Sequence, residues 1–305
     1  METGAPCYVS SSFRYCQSMS LGIFGQIKHA LSSLKPGEVR AEAERPVHIG
    51  IVAASQESLG RIETFFAPPH LSPERRAEAV RLLIRGDAPG CDIRIYESSL
   101  LRPAQAFSLD LEAPEDCVRR IVRKREDLML PLARHLYPFR QEVAHHVIRT
   151  VAKENALFCL ATAIPDVVPS LASIPWAFGE YGSDAAFLTM NQVRMAFLLA
   201  AASDRNIGYR EQRSEVASIA AGSFGWRALA RELVGKVPFG GGLIPKAAIA
   251  WAGTFAVGLS LERLYRLGYG FTRPERKAVY EDAYEHGKQI AGMLLETMTQ
   301  RRRAV

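Results

Sequence analysis

Two long apolar stretches in the second half of the chain limit its fold more than any other feature. Residues 156–178 contain a single charged side chain, Asp166, and residues 239–261 contain a single one, Lys246. Each stretch has roughly the 20 residues that a helix needs to cross the hydrocarbon core of a bilayer. Segments this apolar have to leave water, so we expect them either in lipid or in the interior of a protein.

Proline and glycine interrupt both stretches, which argues against a simple straight membrane span. The interrupting residues are Pro165, Pro169 and Pro175 in the first stretch and Gly240, Gly241, Gly242 and Pro245 in the second. The uncharged residues 247–261 would form a helix of about 22 Å, shorter than the roughly 30 Å of hydrocarbon. Broken or re-entrant membrane helices, a bent hairpin and a buried soluble hairpin are open alternatives. We predict two Pro/Gly-broken hairpin segments that associate with a membrane.

Charged residues in and around these stretches extend the same hypothesis. Asp166 and Lys246 are predicted to pair, because a lone charge in an apolar setting is costly until it is neutralised. The alternative is that both lie at helix starts in contact with water. Basic residues occur between the stretches and after them, which suits a segment that enters a membrane and returns. The basic run at 301–303 is interpreted as a solvated helix end, with attraction to anionic lipid as the alternative.

The N-terminal half alternates strand-like and helix-like patterns, which predicts a small parallel sheet. The predicted elements are strands at 47–53 and 92–96 and helices at 55–66 and 73–85. Beyond Pro114 strand signals fade, and the remainder has the pattern of helices broken by glycine and proline. We therefore predict an α/β N-terminal domain with a small, mostly parallel sheet, followed by an all-α helical domain, with helix predominating overall.

Three segments follow from these patterns. They are an N-terminal extension at 1–44, a small α/β domain at 45–138 and a helical domain at 139–305. Apolar residues at helical spacing from Ser20 to Leu34 indicate a short amphipathic helix, docked on the protein or, alternatively, on a membrane surface. The five cysteines show no paired spacing, which favours a reducing compartment over a disulfide framework. The net charge of +6 does not indicate a particular partner. The zinc-ligand spacing and interleaved aromatic residues of nucleic-acid-binding modules are missing from the sequence.

The segment VHIGIVAASQESLGRIETFF at 47–66 has the frame of a phosphate-binding loop between a strand and a helix. A working loop needs G-x-x-x-x-G-K-[ST], whose glycines let backbone N–H groups face phosphate and whose hydroxyl holds magnesium. Aligning Gly60 with the second glycine puts Ser55 at the first. Arg61 then replaces the lysine and can still meet a phosphate, whereas Ile62 replaces the hydroxyl and cannot bind a metal ion. We predict a degenerate phosphate loop at Ser55, Gly60 and Arg61, without a metal site.

A second fragment, Asp87-Ala-Pro-Gly90, matches the D-x-x-G motif that senses the γ-phosphate through magnesium in GTPases. It also matches an ordinary turn at a helix end, which we favour because Gly86 follows a helical pattern instead of a strand. The sequence contains no [NT]-K-x-D motif for reading guanine. Magnesium-dependent hydrolysis of a nucleotide is not expected, and no cofactor is predicted apart from residual nucleotide binding.

Three strings in the helical half carry a resemblance to a known family. They are FRQEVAHHVIRTVAKENA from Phe139, SDAAFLTMNQVRMAFLLAAA from Ser183 and VGKVPFGGGLIPKAAIAWAGTFAVGLSLERLY from Val234. The N-Q-x-R-M helix after an aspartate, the Pro/Gly-rich entry and the long Ala/Gly-rich helix resemble a helical domain of unknown function whose family includes the YcjF-like membrane proteins. Such domains are often fused behind Era-like GTPase domains, so the resemblance implies a GTPase-type region before Phe139 and a location at a membrane. The region here is shorter than a GTPase domain and lacks the lysine and hydroxyl, so hydrolysis does not carry over.

Polar residues on the helix predicted at 184–202 share one face. Asp184, Asn191 and Arg194 fall within about 80° of one another at about 100° per residue, among apolar neighbours. Buried polar groups have to find hydrogen-bond partners. We favour a structural hydrogen-bond network that fixes the register of the helices, with a ligand or partner site as the alternative.

Two further motifs point to chemistry only weakly. Glu142 and the histidine pair His145 and His146 present E-x-x-H, but carboxylate-bridged metal sites need a second such motif, which the sequence lacks. A solvated or core histidine pair is the favoured interpretation. Ala221-Gly-Ser-Phe-Gly225 imitates the nucleophile elbow G-x-S-x-G, yet its surroundings predict helix, so Ser223 is interpreted as a packing residue.

These features together favour a non-catalytic, membrane-associated scaffold or assembly protein with a vestigial GTPase-like domain. We expect it on the cytoplasmic side of a membrane or within the membrane, with membrane lipid or a membrane protein as partner. A second copy of the chain or a GTPase is a further candidate partner, and nucleic acid is not. One alternative is a soluble, cytoplasmic nucleotide-binding switch that uses the turn at 55–62. A weaker alternative is a serine hydrolase that uses Ser223.

Overall fold

The computed structural model describes residues 31–32, 34–162, 184–222 and 242–303 of the chain. Most of the amphipathic helix predicted at 20–34 lies outside this part, as do Asp166 and Ser223. The side chain of Asp184 is outside it as well, although the backbone of that residue starts a helix. The predictions made for these residues stay predictions.

Short parallel strands form one sheet in the N-terminal part. They are β1 Ile49–Val52, β2 Leu83–Arg85, β3 Ile93–Glu97 and β4 Phe107–Leu109, and their order in the sheet is β2-β1-β3-β4. The two central strands are buried, and Ile49, Ile51 and Ile95 are at most 2% exposed. A helical region follows the sheet, and helix predominates along the described residues. The predicted fold class is confirmed.

Helices flank the sheet and follow it along the chain. They are α1 Pro36–Ala43, α2 Gln56–Phe66, α3 Pro73–Arg81, α4 Pro114–Lys124 and α5 Met129–His135, with a 3-10 turn at Glu126–Leu128 before α5. Ser55 caps α2, because its Oγ accepts a hydrogen bond from the backbone N–H of Ser58 at 3.0 Å. Leu59, Ile62 and Phe66 recur at helical spacing and are buried, so α2 packs this face against the core.

The helix predicted at 73–85 is wrong in its last turn, which forms β2. The backbone shows the pairing: Ile49 N–H donates to Leu82 O at 2.9 Å, and Gly86 N–H donates to Ile51 O at 2.8 Å. The run RLLIR keeps the apolar spacing of a helix, so only its contact with β1 distinguishes the two states. The sequence patterns also missed β4, which has three residues and is too short to show a period.

A short connection leads from β2 across β1 to β3, and it passes over Gly50. Gly86 and Gly90 in this connection have φ angles of 86° and 90°, in the left-handed region that favours glycine. A Cβ atom on Gly50 would lie 3.1 Å from Gly86 O and 3.1 Å from Cys91 Sγ. The missing side chain at Gly50 therefore leaves space for the connection to pass. The chain therefore changes direction across the sheet at β1, and the carboxyl end of β1 is the usual ligand-binding position in such sheets.

A bundle of long helices forms the second half of the molecule. They are α6 Phe139–Ala161, α7 Asp184–Ala202, α8 at 213–222, α9 Leu243–Leu267 and α10 Arg273–Arg303. α9 lies in the centre and packs against α6, α7 and α10. It ends at Gly268, which has a φ of 85°, and α10 then runs back along it, with Ala283 near Ala256 and Ala291 near Ala247.

One buried apolar cluster extends from the sheet into the bundle. It includes Ile51 and Phe66 on the sheet side and Val147 and Phe197 in the bundle. Phe66 of α2 stacks on Phe139 of α6 with their ring centroids 6.0 Å apart. The boundary predicted between 138 and 139 therefore passes through a continuous core, where separate domains would show few contacts.

The end of the bundle away from the sheet, called the distal end below, brings several helix ends together. Leu160 near the end of α6 packs in one cluster with Leu243 at the start of α9 and Met298 near the end of α10. Phe158 of α6 stacks on Phe187 in the first turn of α7, with ring centroids 3.9 Å apart. α6 starts beside the sheet and has 23 residues, which separates the distal end from the sheet by roughly 34 Å at 1.5 Å per residue.

Candidate functional site

The residues of the predicted phosphate loop lie at the start of α2 and inside it. Ser55 is the N-cap, whereas Gly60 and Arg61 are within the helix. Arg61 Nη2 lies 3.0 Å from Glu112 Oε1, and the arginine side chain is 51% exposed. G-x-x-x-x-G-K-[ST] places four residues between its glycines, more than the whole loop at 53–55 between β1 and α2. The placement of Gly60 and Arg61 therefore differs from the one that the alignment requires.

A buried carboxylate closes the same turn. Glu97, the last residue of β3, is 8% exposed, and its Oε2 accepts a hydrogen bond from the backbone N–H of Ala54 at 2.7 Å. Further along, the backbone N–H of Ser58 in the first turn of α2 donates to Ser55 Oγ. The backbone N–H groups of Ala54 and Ser58 are thus engaged by the protein's own side chains, and a carboxylate at this position repels an anion. Sequence reasoning missed Glu97, although an acidic residue at the end of the apolar run IRIY is a readable signal.

The D-x-x-G fragment follows a strand. Because Asp87 comes directly after β2 and Gly86, the reason given above for interpreting the fragment as the end of a helix is wrong. The fragment is nevertheless a tight turn, since Gly86 and Gly90 are left-handed. Asp87 accepts a hydrogen bond from the Tyr96 hydroxyl at 2.9 Å and lies 3.1 Å from Arg94 Nε. The carboxylate is therefore held by the protein's own side chains.

A buried polar cluster joins the middles of α6, α7 and α9. Its members are Glu154, Asn155, Asn191, Gln192, Arg194 and Thr254. Asn155 Nδ2 donates to Thr254 Oγ1 at 2.7 Å, and Asn155 Oδ1 accepts from Asn191 Nδ2 at 2.9 Å. Gln192 Nε2 also donates to Thr254 Oγ1, at 3.2 Å. Asn155 and Thr254 are fully buried, so these bonds align three helices in an apolar interior.

Glu154 supplies the charged edge of this interhelical polar cluster. Its Oε2 accepts from Asn191 Nδ2 at 3.0 Å and from Arg194 Nη2. Burial lowers the pKa of Arg194, and the charge of Glu154 opposes that shift. Asn191 and Arg194, which the sequence singled out, thus lie together. Sequence reasoning missed Glu154, Asn155 and Thr254, because their partners depend on how the helices cross. The cluster consists of amides, one hydroxyl and one ion pair. It can fix the register of the helices, but it contains no nucleophile paired with a base.

The remaining predicted residues are the Asp166–Lys246 pair and the histidines of α6. Lys246 lies in the first turn of α9 and is exposed, whereas Asp166 is outside the described residues, so their pairing stays a prediction. His146 Nε2 lies 3.5 Å from Glu126 Oε1. Within the part of the chain that the structure describes, no group of His, Cys, Asp and Glu residues has the arrangement of a metal site.

A cavity of about 510 Å³ lies where the α/β part meets the bundle. We call it the junction cavity. Its walls include Phe65 and His70 from α2 and the loop after it, Tyr137 and Arg140 around the start of α6, and Glu262 and Arg266 near the end of α9. Its volume is in the range typical of small-molecule sites.

An ion-pair network beside the junction cavity connects the two parts of the molecule. Asp204, just after α7, accepts from Arg75 Nη2 of α3 at 2.7 Å and from Arg140 Nη2 of α6 at 3.3 Å. Its side chain is 9% exposed, and its φ of 58° is left-handed, a conformation that aspartate tolerates better than most residues. One carboxylate is therefore shared by two guanidinium groups from different parts of the fold.

In the part of the chain that the structure describes, two helices have the length and apolar composition needed to cross a membrane. They are Ala185–Ala202 in α7 and Leu243–Leu267, which is all of α9. Both are packed against other helices, and α7 is the more deeply buried. Core helices of soluble proteins have the same composition, so these two properties alone do not separate a soluble from a membrane protein.

Comparisons with known proteins give no relative. A scan against protein-family models, a search of curated proteins and a search of solved structures each found no significant match. The resemblance to the YcjF-like family therefore rests on the sequence strings alone and stays a prediction.

Proposed function

We propose that the protein is a non-catalytic scaffold or assembly protein that contacts a membrane with the distal end of its bundle. The observation that carries this proposal is the position of the helix ends next to the apolar sequences. Residues 163–178 of the first apolar stretch follow α6, and the second apolar stretch begins at Phe239, directly before α9. Because the end of α6 and the starts of α7 and α9 meet at the distal end, that end is where both sequences attach.

The composition around the distal end supports contact with lipid. Residues 163–178 carry one charge and include Trp176 and Phe178, and aromatic rings such as tryptophan are enriched at membrane–water interfaces. On α10, Met293 is 59% exposed. The helix continues to Arg303, so basic residues follow its apolar turns, an order that suits anionic headgroups.

Contact at one end is better supported than a crossing by α9. α10 covers one side of α9, and the side chains of Lys277, Glu285 and Asp282 on α10 are 77%, 66% and 78% exposed. If α9 crossed a bilayer beside α10, such charges would enter hydrocarbon at about 2.5–3.5 kcal/mol each near its centre. The bundle therefore fits best on the surface of the membrane, with its distal end towards the lipid.

Flotation of the purified full chain with liposomes that contain anionic lipid tests the proposal. We expect the protein to float and to stay bound in high salt, because apolar side chains contribute to the contact. Trp176→Gln combined with Phe178→Gln should remove most of the floating fraction. Leu101→Gln is the matched control, since it changes a 99% exposed apolar residue on the sheet side. A wild-type protein that stays at the bottom of the gradient would contradict the proposal.

The two alternative functions have less support. A soluble nucleotide-binding switch would need the turn after β1, where Glu97 engages the backbone of Ala54. A serine hydrolase would need Ser223, which lies outside the described residues and was interpreted as a packing residue.

A further inference from the structure

We propose that the junction cavity binds a small organic molecule that combines one negative charge with an apolar, planar group. This site is independent of the membrane contact proposed above, because the cavity lies next to the sheet at the opposite end of the bundle. Residues from α2, α6 and α9 line it, so a ligand would touch the α/β part and the bundle at once.

Arg140 supplies the positive group. Its Nε donates to Ala133 O and its Nη2 to Arg134 O, each at 3.3 Å, which fixes the guanidinium at the start of α6. Nη2 also meets Asp204, but Arg75 lies closer to the same carboxylate, at 2.7 Å. Within the described part of the chain, Nη1 of Arg140 has no acceptor, and the residue lines the cavity. Burial lowers the pKa of this arginine, and a bound anion would relieve that cost.

Arg266 gives the cavity a second guanidinium, and acidic residues limit the charge of the ligand. Arg266 Nε donates to Glu262 Oε1 at 2.7 Å, while its terminal nitrogens have no acceptor among the described residues. Glu262 and Glu115 also line the cavity. The two glutamates offset the charge of the two arginines, so the terminal nitrogens of Arg140 and Arg266 suit one anionic group, whereas further negative charge on a ligand is repelled by the carboxylates.

An apolar wall lies beside these charges. Phe65, Pro68 and Pro138 line the cavity. Tyr137 is 41% exposed, and the ring of His70 meets its ring edge to face at 4.6 Å between centroids. A flat apolar group fits against such a wall, because rings stack on one another and on proline. This combination of a fixed cation and an aromatic wall defines the class of ligand.

Ligand-observed NMR titrations of the full chain with three probes test the proposal. Benzoate has both features, benzyl alcohol lacks the charge, and phenyl phosphate carries a second charge near neutral pH. We expect benzoate to bind at least about tenfold more tightly than benzyl alcohol, since a hydrogen bond to a charged group is worth that factor. Equal binding of these two would overturn the proposal. Tighter binding of phenyl phosphate than of benzoate would overturn the preference for a single charge.

Variants locate the binding. Gln141 lines the cavity and is exposed, so Gln141→Trp should fill the space and abolish benzoate binding without disturbing the core. Arg266→Gln should weaken benzoate binding about tenfold. The matched control is Arg85→Gln, because Arg85 is also exposed and also pairs with a glutamate, Glu63, but outside the cavity. Benzoate binding that survives Gln141→Trp, or that is lost equally in Arg85→Gln, would place the probe elsewhere and overturn the assignment.

Discussion

The carboxyl edge of the sheet and the distal end of the bundle use their polar and apolar groups in opposite ways. At the sheet edge, the carboxylate of Glu97 accepts from the backbone N–H of Ala54, and the hydroxyl of Ser55 accepts from that of Ser58. At the distal end, α6 ends where the apolar residues 163–178 follow, α9 begins within the second apolar stretch, and the exposed Met293 lies nearby on α10. In the first region the protein's own side chains accept hydrogen bonds from the backbone, whereas the second adjoins apolar sequence that we propose to contact lipid.

A parallel sheet whose chain direction reverses at β1 is the framework on which nucleotide sites are built. Here a buried carboxylate closes the turn after β1, and the loop at 53–55 is shorter than the phosphate-loop motif requires. Within the described residues, the junction cavity and the distal end of the bundle are therefore the candidate contact sites for an external molecule.

The interhelical polar cluster gives the largest expected effect on stability. Asn155→Leu removes one hydrogen-bond partner from Thr254 and one from Asn191 in a buried setting. We expect the free energy of unfolding to fall by about 3 kcal/mol, because buried polar groups that lose a hydrogen bond retain their desolvation cost. Chemical denaturation followed by circular dichroism measures this change.

A second substitution separates the polar cluster from simple packing. Asn155→Leu combined with Thr254→Val removes both partners of one hydrogen bond. The double variant should be less destabilised than the sum of the two single variants, by about 1 kcal/mol. Additive effects would mean that the cluster contributes volume and not hydrogen bonding to the alignment of α6 and α9.

Glu97→Ala tests whether the sheet edge is closed by its own carboxylate. The variant should lose about 2 kcal/mol of stability, since a buried, charge-assisted hydrogen bond to Ala54 N–H disappears. Glu112→Ala is the control, because Glu112 is 83% exposed and pairs with Arg61 at the surface; its effect should stay within about 0.5 kcal/mol. Equal effects in the two variants would show that the turn does not depend on Glu97.

How much of this could be predicted depends on the range of the interaction. β1, β3 and α2 were predicted because runs such as IGIV and the apolar spacing of α2 are local signals. β2 was not, because RLLIR fits helix and strand equally until it pairs with β1. In the polar cluster, Asn191 and Arg194 stood out on an apolar helix, but Thr254 has no local signal and is defined by the crossing of α9 with α6. The junction cavity depends on three separate helices and has no pattern in the sequence.

A pair of glycines on α10 tests the close contact that covers α9. A Cβ on Gly287 would lie 2.9 Å from Ala248 O and 3.1 Å from Trp251 Cδ1, whereas a Cβ on Gly292 would have no heavy atom within 4 Å. Gly287→Ala should destabilise the protein by about 1 kcal/mol, because crowding outweighs the gain in helix propensity. Gly292→Ala should stabilise it by up to about 1 kcal/mol. Opposite signs in thermal unfolding would support the packing of α10 on α9, and equal stabilisation would contradict it.

At the start of α10 we expect a smaller effect on the free energy of unfolding, and this effect depends on pH. Glu275 accepts from the backbone N–H and the hydroxyl of Thr272, both at 2.8 Å, and pairs with Arg263 at 2.9 Å. The backbone hydrogen bond from Thr272 is the main cause that lowers the pKa of Glu275 to about 2. A carboxylate whose folded-state pKa is lowered stabilises the fold above its ordinary pKa, and this contribution is lost as the pH falls from about 4.5 to about 2. Glu275→Gln should therefore flatten the pH dependence of unfolding in that window while it leaves the cap in place.

Glu281→Gln is the control, because the carboxylate of Glu281 makes only a 3.8 Å ion pair with Lys277. This variant should change the pH profile less than Glu275→Gln. If it changed the profile as much, the cap at Thr272 would not be the source of the dependence.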